Sequence, residues 1–241
     1  MKKYLLFLIL LPLFTQCVLA QSVKISSKKI TYTRPKAKSE FKKTFTVNYP
    51  KVKGISPSLA KKIEDSISYK KVLSFDLDDE INESDWLEEA NFEVSYNQNY
   101  ILCVYLSMEG SAAHPNYFGK SATVDLTTGK RIFVNDVFIN QDKLVKKIIE
   151  LQQDEIKDSI ADIKSQPDYS NENTDELFKY AKFEKIHLED FTIREDGVIF
   201  HYDYGFPYIL RAIEPTGTYQ LSWKELKPYI KKGSKFAQFV K

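Results

Sequence analysis

Apolar and polar residues alternate along much of this 241-residue chain, and one long stretch breaks the alternation with helical spacing. Phe41, Phe45 and Val47 alternate with polar neighbours and predict a strand from Phe41 to Tyr49, closed by Pro50. Leu59, Ile63 and Ile67 recur every four residues behind Ser56-Pro57, which predicts a short amphipathic helix with proline in its first turn. Phe92 to Tyr96 and Tyr100 to Met108 predict a hairpin through Asn97-Gln98-Asn99, residues that tolerate turn geometry. The second of these strands is apolar on both alternating faces around Cys103, the signature of a strand buried on both sides. Val124 and Leu126, then Thr127-Thr128-Gly129-Lys130, then Arg131 to Val134 predict strand, tight turn and returning strand, with Gly129 at positive φ. Glu195-Asp196-Gly197, between Phe191-Thr192-Ile193 and Val198 to Tyr202, predicts another hairpin with Gly197 left-handed.

Helical spacing takes over from Gln141 to about Lys164. Val145, Ile149, Ile156, Ile160 and Ile163 form a stripe flanked by Leu144, Ile148 and Leu151, with Asn140 as the cap and Pro167 just beyond the end. Gln152, Gln153 and Asp154 interrupt the stripe, so the helix packs on a sheet rather than in a membrane. A short helix at Thr174 to Phe178 and a helical turn at Trp223 to Tyr229 complete the elements. The pattern predicts an α+β fold: a largely antiparallel sheet of hairpins with one long amphipathic helix packed on it. With eight glycines and no Ser/Gly-rich or Pro-rich tract, two closely joined lobes, 41–110 and 111–241, are expected behind a polar, loosely ordered lead-in at 21–40 that carries a candidate strand at Ile30-Thr31-Tyr32-Thr33 ahead of Arg34-Pro35.

The N-terminus changes the picture. Lys2 and Lys3 precede an apolar run that ends in Val18-Leu19-Ala20, the form of a secretory signal peptide over residues 1–20 with Gln21 as the mature start. Lipidation at Cys17 and retention as an uncleaved anchor are the alternatives. Removal of the segment lowers the basic count from 35 to 33, equal to the 33 acidic residues, which argues against nucleic acid as a partner. It leaves Cys103 alone, a buried thiol without an internal disulfide partner. Export to the periplasm or beyond, with envelope attachment as an option, is the expected location, and no transmembrane span is expected in the mature chain.

Candidate chemistry is sparse. His114, His187 and His201 are the only histidines, and none has a histidine three or four residues away. Metal, nucleophile and phosphate motifs are missing, so neither a metal nor another cofactor is expected. His187-Leu188-Glu189-Asp190 is read as solvated surface. An acidic stretch from Asp76 to Asp85 lacks the glycine and terminal glutamate of a calcium loop, with Ile81 and Leu87 in those places, and is read as a solvated acidic loop. Its Asp76, Asp78, Asp79 and Glu80 could meet a cationic partner. His114 and Asn116 lie in a loop suited either to holding a turn or to touching a ligand. Tyr202, Tyr204, Phe206 and Tyr208 alternate around Gly205 and Pro207; Tyr204 and Tyr208 are ligand candidates if exposed and sheet core if buried.

Two phrases carry a family resemblance. Gly110 to Asn116, Ala122 to Lys130 and Val134 to Phe138 form one; Phe191 to Phe200 with Leu221 to Leu226 form the other. Together they resemble the extracytoplasmic domain of RsiV-type anti-sigma factors and PdaC-type deacetylases, over about Val47 to Ile230. The chain departs from the pattern at Phe206 to Ala212, where Ile209 and Leu210 replace small residues. The resemblance implies a non-enzymatic recognition module. Its ligand would be an envelope component, a peptidoglycan fragment or a lysozyme-like muramidase. Only Met1-Lys2-Lys3 precede the apolar run, so no sigma-binding segment is expected. The rival expectation is a hydrolase of wall glycan or peptide using His114 and a carboxylate.

Overall fold

Two sheets realise the alternating segments in a computed structural model that describes residues 22–38, 41–111 and 114–241. The export signal read at 1–20, with its cleavage and lipidation sites, lies outside the described residues, as do Ala112 and Ala113. The larger sheet has the order β1 (Lys24–Thr33), β2 (Thr44–Lys53), β3 (Leu87–Gln98), β4 (Ile101–Ser111), β5 (Pro115–Asp125). Its pairs are antiparallel except β2 with β3, which run parallel through Thr46 and Val47. A parallel step needs a crossover. It is made by α1 (Pro57–Ser66), α2 (Tyr69–Leu73) and α3 (Leu77–Asn82). After α4 (Val134–Val137), α5 (Gln141–Ser165) and α6 (Thr174–Phe178) comes a second antiparallel sheet of β6 (Phe191–Ile193), β7 (Gly197–His201) and β8 (Thr218–Ser222), followed by α7 (Trp223–Leu226). The fold is α+β, and α5 is its long helix.

β4 divides the interior. Leu102, Val104 and Leu106 face a core shared with Phe45, Val47 and the α1 residue Ile63. Ile101 and Cys103 face a second core with Leu144 and Ile148 of α5, Phe200 of β7 and Leu221 of β8. Cys103 is therefore closed off on both sides, as its flanking residues foretold.

Several local expectations are corrected. The strand expected at Ile30 to Thr33 is the end of a longer one, β1, which begins at Lys24 and pairs with β2 along its whole length, so the lead-in is more ordered than expected. Pro50 does not close β2, which runs on to Lys53; the pairing to β3 is confined to Thr46 and Val47, so Pro50 interrupts no ladder on that side. Hydrogen bonding of the larger sheet continues through β5, past the division drawn at 110/111. The β3–β4 turn is Asn99-Tyr100, at φ 53° and 61°, the pair of positive values that suits a two-residue hairpin. Gly129 has φ 73° as expected, but Arg131 makes only an isolated bridge to Val124 rather than a returning strand. Gly197 begins β7 and is not left-handed; it is needed because a Cβ there would lie 2.1 Å from the Leu221 carbonyl oxygen. On α5 the fully buried line is Leu144, Ile148, Gln152 and Ile163, so the apolar stripe is rotated toward two polar residues, Gln152 and the half-buried Glu155, and Asn140 makes no side-chain cap.

The acidic stretch is not a solvated loop. It forms α3, capped by Asp76, whose carboxylate accepts from the Asp78 and Asp79 amides. Glu80 points inward and pairs with Arg34, and both are almost completely buried. The Arg34 guanidinium also donates to the carbonyls of Lys42 (2.8 Å) and Leu87 (2.7 Å) and lies 4.5 Å from the centre of the Phe45 ring. Glu80 accepts from the Leu87 amide at 3.1 Å. Burial pushes the Glu80 carboxyl up from its usual value, and Arg34 opposes the shift. Glu80 is thus removed from the candidate contact surface, on which Asp78 and Asp79 stay exposed. Replacing Arg34 with Met strands a buried carboxylate and is expected to cost about 3–5 kcal/mol in urea unfolding. Adding Glu80→Leu should recover most of the loss; a double variant as unstable as the single one would contradict this account.

Candidate functional site

A cleft of about 370 Å³ opens where β5 meets the segment after β7. Gly119 of β5 allows Tyr105 of β4 to lie across the strand, since a Cβ at 119 would sit 1.8 Å from the Tyr105 hydroxyl. That hydroxyl accepts from Tyr117 at 3.2 Å, and burial raises the pKa of the Tyr105 phenol. These two tyrosines and Phe118 make one wall. Tyr202 and Tyr204, with Arg211 and Glu214, make the other.

Asp190 and His201 line the cleft between the walls. The His201 amide donates to the Asp190 carbonyl at 3.0 Å, which fixes the residues side by side. His201 Nε2 is 2.8 Å from Thr192 Oγ1, and Thr192 Oγ1 is 2.5 Å from Ser121 Oγ on β5. The Ser121 amide reaches Asp190 Oδ1 at 3.4 Å. This group therefore ties β5 to the smaller sheet. Burial raises the Asp190 pKa and lowers that of His201, while their mutual attraction opposes both shifts.

The second wall hangs on Glu155 of α5. Its Oε1 accepts from the Thr216 hydroxyl (2.9 Å) and the Gly217 amide (3.1 Å); its Oε2 accepts from the hydroxyls of Tyr204 (3.0 Å) and Tyr219 (2.9 Å). The expected aromatic strand is absent: β7 ends at His201, and Tyr208 begins a 3-10 turn at Tyr208–Ile213. Tyr204 is half-buried against Glu155, Phe206 is buried, and Tyr208 is exposed.

The sequence candidates divide accordingly. His114 is exposed and stacks on Tyr208, with ring centres 4.6 Å apart and planes 11° from parallel. Asn116 and Tyr208 line a second hollow of about 380 Å³, which shares Tyr117 and Arg211 with the first. Asp76, Asp78, Asp79 and Glu80, on or next to α3, line neither. His114 is not joined to a carboxylate in the cleft; the histidine that lies there is His201, and Asp190, read from the sequence as surface, lies beside it. Asp190, His201, Arg211 and Glu155 were the residues missed. Only the placement of polar Gln152 and Glu155 within an apolar helical stripe signalled one of them. Among the described residues no cluster of three or more His, Cys, Asp or Glu could hold a metal, and no helix is long and apolar enough to cross a membrane.

Two outcomes are expected. Glu155→Gln leaves one acceptor oxygen for four donors and should lower stability by about 2 kcal/mol, read by thermal or urea unfolding; an unchanged midpoint would show that the wall holds without the clasp. An NMR titration should place His201 below the usual imidazole value. Asp190→Asn should lower it further by removing the attraction that favours the imidazolium. Because the folded state disfavours protonated His201, its contribution to stability is present above the ordinary imidazole value and is lost as pH falls through the depressed one.

No family model matches the chain, and no curated protein matches it. Among solved structures, it resembles a DUF3298 family protein from Pseudomonas aeruginosa, with a TM-score of 0.60 and 16% identity over 90% of this chain and 98% of the other. It also resembles a DUF3298 family member from Bacteroides fragilis, with a TM-score of 0.57 and 14% identity over 92% of this chain and 98% of that one. At such identities the likeness is one of fold: the α+β arrangement described here is that of DUF3298 proteins.

Proposed function

We propose that this chain is an exported, non-enzymatic recognition module of the cell envelope, and that the cleft between β5 and the segment after β7 is its binding site. The observation that carries the reading is the composition of that cleft: aromatic walls, a polar Asp190–His201 floor and an exposed Arg211 at the rim, a mixture suited to holding and orienting a polar ligand. The resemblance to RsiV-type and PdaC-type domains and the export pattern at residues 1–20 support the location and the class of ligand, a peptidoglycan fragment or a muramidase. The acidic α3 contributes less than its sequence implied, because Glu80 is internal and Asp76 is used as a cap with Lys70 beside it.

One observation favours the rival hydrolase reading. Asp190 and His201 share a cleft, and burial favours the uncharged form of each, raising the Asp190 pKa and lowering that of His201. Against it stands the engagement of His201 Nε2 by Thr192. Calorimetry and surface plasmon resonance with soluble peptidoglycan fragments and with lysozyme should reveal binding to at least one, weakened about tenfold by Arg211→Ala. Absence of binding to both would overturn the recognition reading. Release of soluble fragments from purified sacculi, lost in His201→Gln, would replace it with the hydrolase.

A further inference from the structure

The main chain of β5 names the occupant of this cleft more narrowly. In an antiparallel ladder the N–H and C=O of successive residues face alternate sides of the strand. The β4–β5 register runs without a shift from Pro115 to Asp125, so the alternation is unbroken. The Ser121 amide points away from β4, toward Asp190. The Thr123 carbonyl accepts from the Ile132 amide at 2.8 Å, and the Asp125 amide donates to the Lys130 carbonyl at 3.0 Å, again on the side away from β4. By the same parity Tyr117 and Gly119 also turn their N–H and C=O groups outward. Both line the cleft, and among the described residues no main-chain partner meets those groups. Two amide donors and two carbonyl acceptors thus stand ready along one short edge.

The surroundings limit what can add there. Asp190 Oδ1 takes the next outward amide, that of Ser121, and so ends the open segment at Gly119. Gly119 has no side chain of its own to project into the cleft; the Tyr105 hydroxyl fills the place where a Cβ would lie. Arg211 is exposed at the rim, and among the described residues no carboxylate pairs with it. The opposite edge of the sheet differs. β1 carries Lys24, Lys28 and Lys29, and lysine on an edge strand opposes further pairing.

We propose that β5 receives an extended peptide segment of a protein partner, which pairs with Tyr117 and Gly119 and sets a carboxylate against Arg211. This rests on reading the cleft as a recognition site, and it replaces a general envelope ligand with a strand. Outward groups two residues apart lie about 6.8 Å from one another, the spacing of alternate residues in an extended chain. Main-chain hydrogen bonds would supply affinity, and the aromatic walls with Arg211 would select side chains.

The experiment pans a displayed library of random hexapeptides on the full chain, then measures the enriched peptides by fluorescence anisotropy. Two variants separate backbone from side chain: Tyr117→Ala keeps the outward amide, whereas Tyr117→Pro removes it without touching the ladder to β4. The enriched sequences should contain an acidic residue and lose affinity in Arg211→Ala. Tyr117→Pro should bind about tenfold more weakly than Tyr117→Ala. As a check independent of folding of the proline variant, N-methylation of alternate peptide amides should abolish binding to the unaltered chain. Failure to enrich any peptide, or equal binding by parent and N-methylated peptides, would overturn the strand. If peptidoglycan glycan strands or lysozyme then still bind and lose affinity in Arg211→Ala, the recognition reading stands with a different occupant; if they do not bind either, both fall.

Discussion

The cleft stands where it does because one carboxylate faces inward from α5. Among the described residues no cation pairs with Glu155; two hydroxyls of tyrosine, one of threonine and one amide converge on it instead. Donors arranged in this way replace hydration water and hold three pieces of chain together: the helix, β8 through Tyr219, and the segment after β7 through Tyr204. Gly217 completes the closure. Its φ is 59°, and a Cβ there would lie 1.8 Å from the Tyr202 carbonyl oxygen, so the returning chain runs directly against the outgoing one. The Tyr202 amide donates to the Gly217 carbonyl at 2.8 Å across that contact. The wall facing β5 is therefore a closed loop fastened to a helix.

A comparable division of labour runs through the rest of the molecule. Apolar packing on both faces of β4 holds the sheets and helices, and buried polar groups decide how segments meet. Arg34 gathers carbonyls from the β2 approach and the start of β3 while pairing with Glu80, which locates α3. Ser121, Thr192 and His201 form a polar seam where β5 meets the smaller sheet. Hydrophobic area is indifferent to direction, whereas hydrogen-bonded groups fix one geometry.

Elements with strong periodicity were legible in the sequence. The double-faced apolar run at Cys103 foretold a central strand, and Pro57 marked the start of α1. Gly129 foretold a positive φ for a stated reason. Gly197 shows the limit of the same reasoning: the residue is required, but by a close approach of β8 that no local pattern reveals. The ladder from Tyr202 to Tyr208 had the period of a strand, yet Tyr204 turns to Glu155 and the chain curls into a 3-10 turn, because long-range hydrogen bonds outweigh local propensity. Asp190 and His201 lie eleven positions apart on different elements, and only the pairing of β6 with β7 makes them neighbours. Glu80 looked like part of a surface run because its partner, Arg34, is 46 residues away.

The enclosure of Cys103 has a practical consequence. Its sulfur sits on β4, an interior strand flanked by β3 and β5, and faces the core shared with α5 and the smaller sheet, with Thr123 Oγ1 3.4 Å away. A thiol reagent cannot approach from either face without separating the larger sheet from the layer packed on it. Local fraying at termini and loops leaves that barrier in place. The rate at which the thiol is alkylated therefore measures how often the whole interior opens, giving the molecule a natural clock for global unfolding with no probe added.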